Sequence, residues 1–152
     1  MRRTIQGVKM GAWFESAPDD KPMLDVIAEG ILHFNRVHSE GIAAHRERMT
    51  LIMQTPALVA NAALRQADYS AVIAGYAARR LGEPPESLGP QLVAHLALGA
   101  SSAAYGEWLR DERSELVEVI ERAFAMVQFE PEPPRPTKRP ASRRQPRTAT
   151  KQ

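Results

Sequence analysis

The sequence contains no cysteine. That absence removes disulfides, thiolate zinc sites and cysteine nucleophiles together. No uninterrupted run of about 18 apolar residues exists, the length a membrane-spanning helix requires. The basic start, Met1-Arg2-Arg3-Thr4-Ile5-Gln6, is followed by no apolar stretch of the kind a secretory leader needs. Neither an alternating β-branched run nor an Asn-Gly hairpin signal is present to suggest a strand. Also missing are a His-Glu-x-x-His pair, a glycine-rich phosphate loop and a Gly-x-Ser-x-Gly elbow. Together these absences lead us to expect a soluble, cytoplasmic, all-α protein that is not an enzyme and uses no cofactor or metal.

The 152 residues are 43% hydrophobic and 25% charged, which suits one ordinary domain with a modest tail. Charge is unevenly spread. Residues 131–152 carry seven basic side chains against the single acid Glu132, a net of +6, while residues 1–130 hold 13 basic and 17 acidic groups, a net of −4. The same terminal stretch holds six of the twelve prolines. Such a composition buries too little apolar surface to offset ordering entropy, so 131–152 is expected to be a disordered basic tail. It serves either as a solubilising terminus or as a weak, non-specific contact with nucleic acid.

From Pro22 to Gln128 the periodicity is helical. A first helix opens with Asp20 near its cap and Pro22 in its first turn, with Leu24, Ile27, Ile31, Phe34 and His38 on one stripe. Ser39-Glu40-Gly41 is a soft break before a second helix from Ile42 to Gln54. Thr55-Pro56 starts a third that runs to Leu81, stopped by Gly82 and Pro84-Pro85. A fourth spans about Ser87 to Arg110, and a fifth follows Ser114 with Leu116, Ile120, Ala123, Phe124 and Val127 at helical spacing. The expected architecture is a bundle of about five helices over 13–130, preceded by an irregular segment, 1–12.

The four histidines are expected on the surface or at the core edge. His33 and His38 lie roughly 140° apart around a helix, and no Glu-x-x-His pairs offer a di-metal site. Met49, Ile52 and Met53, with Tyr69, Ile73 and Tyr76, suit either a malleable apolar cavity with polar handles or ordinary core. In the fourth helix, Gly99 and Gly106 each cost up to about 1 kcal/mol relative to alanine, so a close neighbour is expected. That neighbour is either another helix of the same chain or a second subunit.

Three segments in order carry a family resemblance. They are Arg48-Met49-Thr50-Leu51-Ile52-Met53-Gln54-Thr55-Pro56-Ala57-Leu58, then Ala77-Ala78-Arg79-Arg80-Leu81-Gly82, then the small-residue helix ending Glu107-Trp108-Leu109. From Trp13 to Gln128 the chain resembles the C-terminal domain of TetR-type transcriptional regulators, in the MftR-like branch. The resemblance implies an effector cavity lined by Met49, Ile52, Met53, Tyr69, Ile73 and Tyr76. It further implies a dimer face built from Gly99, Ala103, Leu116, Ile120 and Phe124, an apolar or acyl-CoA-like effector, and release of DNA on effector binding.

Relatives of this type begin with a helix-turn-helix unit, for which the twelve residues before Trp13 leave no room. Base-specific DNA reading is therefore not expected of this chain alone. A late start codon or gene decay, a stand-alone sensor that pairs with itself or with a full-length regulator, and a basic tail supplying weak DNA contact are the three explanations in order. The rival of a different class is a stand-alone helical adaptor or dimerisation module with no small-molecule effector.

Overall fold

The computed structural model describes residues 4–36 and 39–131. The expectations for His38 and for 132–152 lie outside the described residues. Among those described there are six α-helices, one short 3-10 turn and no strand. The helices are α1 (Ile5–Glu15), α2 (Met23–Asn35), α3 (Ile42–Gln54), α4 (Pro56–Leu81), α5 (Leu88–Arg110) and α6 (Leu116–Ala125), with the turn at Ser39–Gly41.

Local punctuation sets most of these ends. Pro56 occupies the first turn of α4, where its missing N–H has no intrahelical partner to lose. At the other end Gly82 adopts φ +67°, and its N–H returns to the Ala78 carbonyl. A side chain there would be strained, which is why the helix stops at glycine. α4 and α5 make the most extensive pairing, and α6 packs along α5. The core lies where they meet α2: Val26, Ile27, Ile73, Ala77, Val93, Ala94, Ala97 and Ile120 have no measurable exposure.

Within the first twelve residues, expected to be irregular, 5–12 are helical. α1 begins at Ile5 because its cap is built by a distant carboxylate. Thr4 Oγ1 accepts from the Gly7 N–H at 3.0 Å, while the Thr4 N–H and hydroxyl donate to Asp68 Oδ2 of α4 at 2.7 and 2.6 Å. A carboxylate at a helix N-terminus is also favoured by the helix dipole. Farther along, Met10 and Phe14 enter the core, and Phe14 stacks on Tyr76 with ring centroids 4.8 Å apart. Where α1 crosses α2, Gly30 admits the rings: a Cβ there would stand 2.9 Å from Trp13 and 3.0 Å from Phe14. Close approach is thus made at Gly30 and Gly7. A Cβ at Gly99 or Gly106 would meet nothing within 4 Å, so no neighbour among the described residues accounts for those two.

Gly7 offers a direct check on the α1 clamp. A Cβ at that position would fall 2.4 Å from Asp68 Oδ2. Gly7→Ala is expected to lower unfolding free energy by about 1–3 kcal/mol, the usual cost of overpacking, measured by urea denaturation. Wild-type stability in that variant would contradict the clamp.

Candidate functional site

α3 differs from its neighbours in having no fully buried residue. Two polar fasteners hold it down. Arg46 lays its guanidinium over the Trp108 ring, 4.2 Å from the centroid, and donates to the Trp108 carbonyl near the end of α5. A cation is well placed at a helix C-terminus, where carbonyls lack intrahelical donors. His45, one position earlier, faces Tyr105 of α5 across 3.2 Å.

Hydrogen-bond accounting fixes the direction of a longer chain. A tyrosine hydroxyl has one proton, and Tyr105 donates it to Asn35 Oδ1 of α2 at 2.7 Å. His45 Nε2 must therefore carry the hydrogen that meets the Tyr105 oxygen. Its Nδ1 is then the acceptor for the Arg48 guanidinium at 2.6 Å. Asn35 Nδ2 closes the series on the Ile31 carbonyl at 2.7 Å. The relay runs Arg48, His45, Tyr105, Asn35, Ile31, with every donor pointing the same way. Bonds arranged head to tail polarise one another, so each is strengthened by the rest. Among the described residues no buried side-chain nitrogen or oxygen is left without a partner.

The electrostatics agree with this assignment. Burial, and secondarily the Arg48 charge, hold the His45 pKa below its usual 6.5, keeping the ring neutral. Burial pushes the Tyr105 hydroxyl up to about 12, against the opposing pull of Arg48 and with a smaller push from Tyr69. Tyr69 of α4 is itself raised, mainly by burial. The relay thus joins α2, α3 and α5, and α4 reaches its neighbourhood through Tyr69.

The six residues expected to line a cavity are divided. Met49 and Tyr69 pack half-buried against the core from α3 and α4, and Ile52 is half-buried. Ile73 and Tyr76 are sealed inside the core, 0% and 2% exposed, with Tyr76 against Phe14 on the α1 side. Met53 is 59% exposed. Two open clefts mark the surface. One, of about 820 Å³, lies between α3 and Glu112, Ser114 and Glu115; the other, of about 570 Å³, lies between α4 and α5. Neither is lined by any of the six residues.

The five residues expected at a dimer face also part company. Gly99 and Ala103 are exposed on α5, Phe124 is half-buried, and Leu116 and Ile120 face the core of their own chain. Of the histidines, His33 is exposed and stacks on Trp13, and His95 is exposed with Nδ1 2.9 Å from the Gln91 carbonyl. Asn35, His45, Arg48 and Tyr105 were not expected as a group. The one sequence signal for them is that His45 shares a helix face with Met49 and Ile52. Among the described residues no three His, Asp or Glu side chains converge as a metal site.

Comparison with known proteins gives two matches. Residues 21–130 match the family described as the MftR C-terminal domain, of TetR type. A Mycobacterium tuberculosis protein, named as a mycofactocin biosynthesis transcriptional regulator, MftR, is 39% identical over 103 residues. The aligned region is 68% of this chain and 52% of that protein, so the chain spans about half the length of its relative.

Two outcomes test the relay. Tyr105→Phe leaves the His45 donor and the Asn35 acceptor unmatched, so calorimetry is expected to show a loss of about 1–3 kcal/mol. The pH response follows from the lowered His45 pKa. Below about 6.5 the unfolded chain takes up a proton that the folded chain refuses, so the stability contributed by neutral His45 is complete above that pH and is lost as pH falls through it. Melting temperature is expected to decline from pH 7.5 to 5.5, and His45→Gln to flatten the slope; equal slopes would refute the assignment.

Proposed function

We propose that this chain, which belongs to the MftR C-terminal domain family of TetR-type regulators, senses a small apolar or acyl-CoA-like effector and pairs with a second regulator subunit. The observation that carries the reading is the combination found at α3. This helix is the least buried wall of the bundle, yet its inner face presents Met49 and Ile52 beside a polar relay. An apolar body entering along that face displaces little packed core, and the Arg48 and Tyr105 groups offer its polar end partners. Ile73 and Tyr76 then serve as the floor behind the site rather than as its lining.

Pairing is supported by the outer stripe of α5. Leu88 and Leu92 are 72% and 45% exposed, and Gly99 and Ala103 continue the same side with little bulk. The partner is a second copy or a full-length regulator, and the setting is the cytoplasm. Among the described residues no helix is long and apolar enough to cross a membrane. Sequence-specific DNA contact is not assigned to this chain, and no catalysis is.

A second reading, a helical adaptor without an effector, draws on the solid packing of Ile73 and Tyr76. A melting-temperature screen against saturated acyl-CoAs of increasing chain length separates the two. At a hundredfold excess over Kd, binding is expected to stabilise by about 2.7 kcal/mol, a rise of several degrees. Tyr105→Phe should reduce that rise. No shift at any chain length, with light scattering still reporting a dimer, would favour the adaptor.

A further inference from the structure

We propose that the proline- and arginine-rich segment 139–147 of the same chain docks in the cleft between α3 and the α5–α6 connection. The inference stands whether or not an effector binds.

The cleft has an apolar floor and an acidic rim. Ile42, Ala43 and Leu51 line its α3 side, and Leu51 leaves 57% of its surface in water. Glu47 borders it on α3, with Glu112 and Glu115 opposite. The basic group in the lining, Arg46, is committed to the Trp108 ring and carbonyl. In the adjoining loop, Asp111 Oδ1 accepts from the Arg113 backbone N–H at 3.0 Å. The rim therefore presents three carboxylates, none of them in an ion pair among the described residues.

The segment has the complementary chemistry. Within 139–147, Pro140 and Pro146 are interleaved with Arg139, Arg143, Arg144 and Arg147. Pyrrolidine rings settle on an apolar floor without burying an unpaired N–H, because proline has none. Guanidinium forks bind carboxylates in pairs of parallel hydrogen bonds. Proline-rich peptides are recognised by apolar grooves in the same manner elsewhere, with their limited backbone freedom reducing the ordering cost.

Tethering favours the same chain over a separate one. Glu115 caps α6, whose ten residues span about 15 Å. The described chain ends at Pro131, and residues 132–138, extended, reach about 23 Å, longer than α6, so that residues 139–147 can lie over the cleft. A short covalent link raises the local concentration toward the millimolar range, so weak contacts suffice. The net charges of +6 on the tail and −4 on the rest draw them together. Any polyanion, nucleic acid included, must then compete with the cleft for these arginines.

The cysteine-free sequence permits a clean test. A spin label on Ser142→Cys in the full chain is expected to remove amide signal intensity from Ala43, Glu47, Leu51 and residues 112–115 at low salt. The loss should be independent of protein concentration. It should disappear in the triple variant Glu47→Lys, Glu112→Lys, Glu115→Lys. It should disappear equally in the unaltered background near 1 M salt, where the Debye length is about 3 Å. Intensity loss absent from those residues, fading on dilution as expected for a second copy, or unchanged by charge reversal and salt, overturns the proposal.

Discussion

The Tyr105 hydroxyl holds one proton and gives it to Asn35, and much of the bundle's arrangement around α3 follows from that choice. With the proton spent, His45 has to donate from Nε2, and only the tautomer that leaves Nδ1 open can do so. Arg48 is then drawn to the open nitrogen, and burial, with the Arg48 charge as a lesser cause, makes a second proton on the ring unwelcome. The consecutive helices α2 and α3 are aligned with the distant α5 by a single directional series. Reversing any one bond would leave two donors or two acceptors facing each other at its neighbour.

This matters because α3 has little else to hold it. α1, α2, α4, α5 and α6 each send side chains fully into the interior, whereas α3 sends none. Apolar burial is strong but indifferent to orientation, while hydrogen bonds are modest in net energy and strict in geometry. A wall secured chiefly by His45 and Arg46 is therefore well placed yet cheaply released. Elements that move when a protein binds a ligand are commonly drawn from such low-stability regions.

How much could be read from the chain follows from how far its interactions reach. The ends of α4 were legible because Thr55-Pro56 and Leu81-Gly82 act within a turn of themselves. The start of α1 was not, since its cap depends on Asp68, 64 residues away. The relay was hidden for the same reason. His45, Asn35 and Tyr105 are separate polar residues until the fold closes separations of 60 and 70 positions. Leu116 and Ile120 teach a related lesson: helical spacing reveals an apolar face but not whether its neighbour belongs to the same chain. The resemblance supplied the family, and family membership did not supply the lining of the site.

Asp68 sits one residue from Tyr69, and the two positions point to different tasks. Tyr69 lies beside the relay, while the neighbouring carboxylate grips the first turn of α1. The heading of the backbone at Thr4 is consequently written on α4 rather than on α1 itself. A substitution that shifted this one turn of α4 would disturb the α1 cap and the neighbour of the relay together.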